Sequence, residues 1–289
     1  MVKEKYTKKC SELALNITQT QINSIKRTNV TQTGMRVYNN GLIGVTGAIG
    51  DYDEHKLEKR AIDSLKMKIP YEYNVTDSKK QKLICKQYID FNHNKFILEF
   101  EEFLSMLKAE LPEFTFFNKT KIVDMEERFQ NSENVDMLYK NRFIDLYLGF
   151  KRRNSCTFFD GGFGYVGNKF DKLLLFNLFV DIVRAYDNYI ELPFDKMKYP
   201  VIFFTEDRTP FRKLIDSLNG YAFATNSSLL SGKTSKKVFN NNFSFIQTSS
   251  PEKAFTAFFD AEGIVNEEYE YTLIDKGTFI TPYTDKRAA

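Results

Sequence analysis

The pair Asn40-Gly41 sits in GMRVYNNGLIGVTGA, between runs whose apolar residues (Met35, Val37, Leu42, Ile43, Val45) suit a pleated surface. Asn-Gly tolerates the positive φ values of a type I′ turn, whose twist matches that of paired strands. A β-hairpin is expected here, and it is the first clear element of the chain. Just beyond it, Asp51 or Asp53 is placed to cap a helix, DEHKLEKRAIDSLKMK, with Leu57, Ala61 and Leu65 on one face. The polar, lysine-rich stretch from Pro70 to about Phe91 reads as a long surface connection. A second helix, KFILEFEEFLSMLKAEL, is ended by Pro112.

From residue 113 the pattern changes to β-rich segments separated by Asn, Asp, Ser and Gly. A helix, KLLLFNLFVDIVRAYDNY, follows, and then an apolar strand, VIFFT, after Pro200. Another helix, TPFRKLIDSLNGYAFA, opens with Thr209 as cap and Pro210 in its first turn. The segment EYEYTLIDKGTFITPY predicts a second hairpin turning near Lys276-Gly277. This order implies an α+β fold rather than a doubly wound sheet. A hairpin-plus-helices domain over residues 1–110 would precede a mixed, largely antiparallel β-rich domain with packed helices over residues 111–289.

Composition narrows the class. Apolar residues at 42% and charged residues at 27% fit a soluble chain with a real core. A net charge of +3 argues against a nucleic-acid partner. Cys10, Cys85 and Cys156 are far apart and odd in number, which suits a reducing compartment better than a disulfide framework. No apolar run is long enough to span a bilayer, and MVKEKYTKKCSEL lacks the apolar core of a signal peptide. A cytoplasmic protein without a membrane partner is expected.

The familiar chemical motifs fail on inspection. Ser231-Gly232-Lys233-Thr234 looks like the end of a phosphate loop, but Ser227 stands where that loop requires glycine. The two histidines, His55 and His93, have no second His or Cys at chelating spacing. The glycines of FFDGGFGYVG follow a β-rich segment and precede Asn168, not the helix of a dinucleotide fold. Asp260-Ala261-Glu262-Gly263 reads as a turn before it reads as a pair of catalytic carboxylates.

Three stretches, taken in order, resemble the TldD/PmbA family, once described as modulators of DNA gyrase. They are TGMRVYNNGLIGVTGAIGDYDEHKLEKRAIDSLK, YPVIFFTEDRTPFRKLIDSLNGYAFATNSSLLSGKTSKKVF and FFDAEGIVNEEYEYTLIDKGTFITPYTDKRAA. In the TldD arm of that family a helix carries His-Glu-x-x-x-His, which binds zinc and supplies the general base for peptide hydrolysis. In LIDSLNGY, Asp216 stands at the first His, Ser217 at the Glu and Tyr221 at the second His, while Gly220 fits the family's glycine. Serine cannot serve as a carboxylate base, and neutral tyrosine is a poor zinc ligand. The match is therefore to the metal-free PmbA arm, also called TldE.

The resemblance implies a non-catalytic subunit with no cofactor and no metal. It would pair with a TldD-like zinc metallopeptidase to process or degrade cytoplasmic peptides or unfolded segments. Asp260, Glu262, Gly263 and Thr272 become candidate substrate-binding residues, in a groove where the terminal hairpin would add a peptide as one more strand. Family members continue beyond the segment matching YTDKRAA, so the chain is expected to be short at its C-terminal end. A stand-alone truncated binding or structural module is the alternative, and a neighbouring gene encoding His-Glu-x-x-x-His would favour the subunit reading.

Overall fold

Asn40 and Gly41 adopt φ values of 49° and 71°, and the hairpin forms around them. The strands are β2 (Gln21–Asn39) and β3 (Leu42–Ile49), with Asn39 opposite Leu42. Ahead of them runs β1 (Val2–Thr18), antiparallel to β2 along its whole length. Its sequence hides it, because Lys3, Lys5 and Lys9 make one face look solvated. In the fold those amines meet carboxylates: Lys3 pairs with Glu58, Lys5 with Glu54 at 2.5 Å and Lys9 with Glu126 at 3.2 Å. Helix α1 (Glu54–Ser64) starts where Asp53 accepts a hydrogen bond from the Lys56 amide at 3.1 Å. Leu57 and Ala61 are buried against Met35 and Val37, and Leu65 packs partly buried beside them.

The structure is a computed structural model that describes residues 1–73, 75, 84–87, 92–191, 198–201, 209–250, 253, 255–265 and 268–285. The connection expected from Pro70 to Phe91 is not all surface: Tyr71 is buried, and strand β5 (Ile84–Gln87) lies within the connection. A strand this short and polar carries no periodic signal of its own. Strand β4 (Ile69–Pro70) pairs with β3. Helix α2 (His93–Glu110) is capped by Asn92 and ends just before Pro112. Then come β6 (Phe114–Asn131), β7 (Asp136–Arg152) and β8 (Gly161–Gly167), followed by α3 (Lys172–Asp187), which Asp171 caps.

Strands β1 to β8 form one sheet in the order β4-β3-β2-β1-β6-β7-β5, with β8 also paired to β7. The sheet is antiparallel except where β5 runs parallel to β7. Because β1 pairs with β6 from Glu4–Asn131 to Ile17–Asn118, residues on both sides of position 110 share it. Helices α2 and α3 cover one face, where Phe96, Phe100, Phe103, Phe116, Phe150 and Phe179 are fully or almost fully buried with Leu15 and Leu148. Each such phenylalanine stabilises the fold by roughly 1.5–3 kcal/mol relative to exposure.

On the opposite face, Ala257, Phe258, Phe259 and Gly263 pack against Phe129 and its neighbours. Helices α4 (Thr209–Ser217) and α5 (Gly220–Ala224) cover a small sheet of β9 (Phe245–Thr248), β10 (Glu270–Asp275) and β11 (Thr278–Phe279). The terminal hairpin turns at Lys276 and Gly277, with φ values of 42° and 81°. The single helix expected over TPFRKLIDSLNGYAFA is instead two. Asn219 is extended, and its side chain accepts bonds from the amides of Tyr221 and Ala222 at 3.0 and 3.2 Å to start α5. The break is held by a reciprocal pair: Gly220 N donates to Tyr283 O at 2.8 Å, and Tyr283 N to Leu218 O at 2.9 Å. Tertiary pairing overrides the helical pattern here. The strand expected at VIFFT lies outside the described residues for all but Val201. The fold is α+β, as expected.

Candidate functional site

The broken helix sets the surroundings of the three positions singled out in the sequence. Asp216 and Ser217 close α4, whereas Tyr221 lies in α5, beyond the extended Asn219. The Ser217 side chain is buried and its hydroxyl donates to Lys213 O at 2.7 Å, while its carbonyl accepts from the Ser228 hydroxyl at 2.5 Å. Asp216 is exposed, and Tyr221 is 73% exposed. Among the described residues no hydrogen bond joins the three, and no three or more His, Cys, Asp or Glu side chains converge as a metal would need. This donor set does not fit zinc: one hydroxyl is spent inside its own helix and the phenol points to solvent.

The turn at Asp260 to Gly263 is a built structure. Asp260 Oδ1 accepts from Glu262 N at 2.8 Å and Ile264 N at 2.9 Å, and Gly263 N donates to Asp260 O at 3.0 Å. Gly263 has φ +74°, and a Cβ there would lie 2.5 Å from the buried ring of Phe129. The turn therefore lies directly on the large sheet. Beside it, Ala257, Phe258 and Phe259 pack on Phe129, Val135, Met137 and Tyr139. Arg36 Nη1 donates to Ala261 O at 2.7 Å and fastens the turn from the side of β2.

Beneath the turn the sheet carries polar groups that sequence inspection missed. Glu4, 2% exposed, accepts from Tyr38 OH at 2.7 Å and lies 3.6 Å from Arg36. Glu127, 6% exposed, accepts from Tyr6 OH and pairs with Lys8 at 3.1 Å. Glu4 stands between Lys3 and Lys5, and Glu127 between Glu126 and Arg128, so the only available signal was a carboxylate set among other charged residues on a strand. Burial, and next the bond to the neighbouring carboxylate, push the hydroxyl pKa of both Tyr6 and Tyr38 upward. With both folded values above that of an unfolded tyrosine, this contribution is complete below about pH 10 and lost above it, as the unfolded chain ionises. Thermal stability is expected to fall more steeply above that pH in the wild type than in Tyr38→Phe. Parallel curves would rule out this linkage.

Thr272 lies in β10, the middle strand of the small sheet, opposite Ile246, with its side chain exposed. The strand edge is therefore β9, not the Thr272 backbone on that side. Next to β9 is a cavity of about 260 Å³ lined by Gln247, Thr248, Thr256, Phe258, Asp260 and Thr284. Its lining offers hydroxyl, amide and apolar contacts along an extended backbone. Asp260 belongs to both the turn and the cavity, while Glu262 and Gly263 stand on the sheet side of the turn.

The remaining sequence candidates fall elsewhere. Ser231 to Thr234 is turn structure, Gly232 having φ +68°. His55 is exposed on α1, and His93 Nε2 lies 4.0 Å from Asp124 at the start of α2. FFDGGFGYVG becomes β8 and the loop before it. Cys10 is half-buried and Cys156 exposed, both unbridged, while the side chain of Cys85 lies outside the described residues.

Solved structures that share this fold include the following three. TldE from Thermococcus kodakarensis superposes with a TM-score of 0.70 at 13% identity, covering 98% of this chain and 66% of its own. A candidate modulator of a DNA gyrase from Thermotoga maritima gives 0.77 at 13% identity, covering 100% and 68%. One from Bacteroides thetaiotaomicron gives 0.69 at 14%, covering 100% and 69%. The chain thus spans about two thirds of the length of these structures. Residues 196–289 match the family model of the PmbA/TldA metallopeptidase C-terminal domain. No curated protein sequence matches the chain.

Proposed function

Starting from a member of the TldD/PmbA family, matched in sequence over residues 196–289 and in fold over its length, we propose that the chain is a PmbA/TldE-like subunit without peptidase chemistry of its own. It would pair with a TldD-like zinc metallopeptidase in the cytoplasm and help to hold the peptide that its partner cuts. The observation that carries this reading is the make-up of the broken helix. Asp216, Ser217 and Tyr221 replace the residues of a His-Glu-x-x-x-His site, and the Ser217 hydroxyl is already committed to Lys213 O.

Substrate would lie in the cavity beside β9, near the Asp260 to Gly263 turn, with Thr272 exposed on the neighbouring strand. An open strand edge offers main-chain hydrogen bonds that depend little on side-chain identity. That suits a peptide or an unfolded segment of varied sequence.

The test is to purify the chain alone and then with a co-expressed chain carrying His-Glu-x-x-x-His from the same genome. Alone, it is expected to hold no stoichiometric zinc and to cleave no unfolded peptide. Together, the two are expected to elute as one complex with one zinc per pair. Zinc bound tightly by the isolated chain, or no complex at all, would overturn the reading.

A further inference from the structure

At one end of the large sheet, the β1–β2 turn, the end of α2, the start of β6 and the loop after β7 surround a cavity of about 720 Å³. It shares no residue with the cavity beside β9. Three cations line it: Lys108 from α2, Lys151 from β7 and Arg153 just beyond that strand. Their neighbour Arg152 is neutralised by Asp187. Lys108, Lys151 and Arg153 form no ion pair among the described residues, and the lining holds no carboxylate. Like charges gathered without a counterion repel one another, and a polyanion placed among them relieves that repulsion.

The same cavity presents flat apolar surface. Phe117 lies across Gly149, where a Cβ would meet its ring at 2.8 Å, and Phe159 meets that ring edge-on with centroids 6.2 Å apart. Phe117 is half-buried, while Phe158, in the loop before β8, is 90% exposed at the rim. Gln19 and Gln21 add side-chain amides, each with a donor and an acceptor. Between them Thr20 has φ 63° and Gln19 itself has φ 50°, a costly conformation for a β-branched residue. Two bonds hold it: Thr20 N donates to Phe116 O at 2.9 Å, and Phe116 N to Thr20 Oγ1 at 3.1 Å. The turn is thereby pinned to the start of β6, with both glutamines beside the cavity.

We infer that this cavity binds a nucleoside polyphosphate, its phosphates among Lys108, Lys151 and Arg153 and its base against Phe117 and Phe158. Phosphate oxygens accept charge-assisted bonds from ammonium and guanidinium groups. Aromatic rings stack on any base, and amides meet a base edge. A free phosphate would leave the rings unused, and an apolar ligand would leave the cations unpaired. The volume falls within the ~300–1,000 Å³ of small-molecule sites, which suits one nucleotide rather than a strand of them. Ser231 to Thr234, the stretch that resembles a phosphate loop, takes no part in this lining. The inference holds whether or not a peptidase partner exists.

Isothermal titration of the purified full chain tests it, with ATP and GTP as probes. At least one of them is expected to bind once per chain, with a dissociation constant below about 1 mM. Lys151→Ala combined with Arg153→Ala should weaken that binding at least about tenfold. Phe158→Ala, at an exposed ring, should weaken it about fivefold or more. Both variants should keep the wild-type circular dichroism spectrum. Arg60→Ala, at an exposed cation on α1 outside the cavity, should leave the affinity unchanged. The parent nucleoside and inorganic tripolyphosphate, each carrying one part of the ligand, should each bind at least about tenfold more weakly than the nucleotide. The inference is overturned if neither nucleotide binds saturably, or if the cavity variants weaken binding no more than Arg60→Ala does. Nucleoside or tripolyphosphate bound as tightly as the nucleotide overturns it as well.

Discussion

Gly263→Val is expected to destabilise the chain by about 2–5 kcal/mol, adding the left-handed backbone penalty for a branched residue to the cost of overpacking a core. Gly263 holds φ +74°, and its missing Cβ is replaced by the Phe129 ring at 2.5 Å. Phe129 is fully buried and pinned by Val135, Met137 and Phe258, so it has nowhere to retreat. The turn must then lift, taking with it the Arg36 bond to Ala261 O and the packing of Phe258 and Phe259. Gly232→Ala is the control, because Gly232 has φ +68° with open space around it. It should show the backbone penalty alone, about 1 kcal/mol. Urea unfolding of both variants measures the difference. Equal losses would mean that Phe129 does not wall the turn.

Phe179→Ala is expected to cost about 3–5 kcal/mol, the range for deleting a buried aromatic ring. Phe179 is fully buried, with its ring centroid 5.3 Å from those of Phe116 and Phe163 and 6.3 Å from that of Phe150. It is the point where α3 meets β6, β7 and β8 together. The cavity should loosen the helix from the sheet, so hydrogen exchange should quicken in α3 and β8 before it quickens in β1 and β2. Phe179→Leu keeps most of the volume and should lose well under half as much. A loss near 1 kcal/mol for the alanine variant, a typical figure for an ordinary substitution, would show that the rings around it can close the gap.

What the sequence made legible was local. Asn40-Gly41, the Asp53 cap, Pro112 after α2 and Lys276-Gly277 are each decided by a few neighbouring residues, and each came out as expected. Strand β1 did not, since its lysines make sense only beside Glu54, Glu58 and Glu126, far along the chain. The helix running through Asn219 failed for the same reason: Tyr283, more than sixty residues away, supplies the bonds that divide it. In the candidate site, Asp260 to Gly263 was readable as a turn because Asp and Gly encode one. That the turn rests on Phe129 and is tied to Arg36 was not readable, because neither neighbour lies near it in sequence.

The pairing of β1 with β6 also dictates timing during synthesis. Glu4 finds its place opposite Asn131, so β1 must wait for its partner until over a hundred further residues have emerged. Until then the β1–β2–β3 meander has an open flank, with Leu13, Leu15 and Ile17 uncovered by the phenylalanines that later bury them. Contacts this remote in sequence slow folding and prolong exposure of aggregation-prone surface. A ribosome-bound nascent chain stopped before β6 should therefore recruit chaperones, and one stopped after β7 should release them.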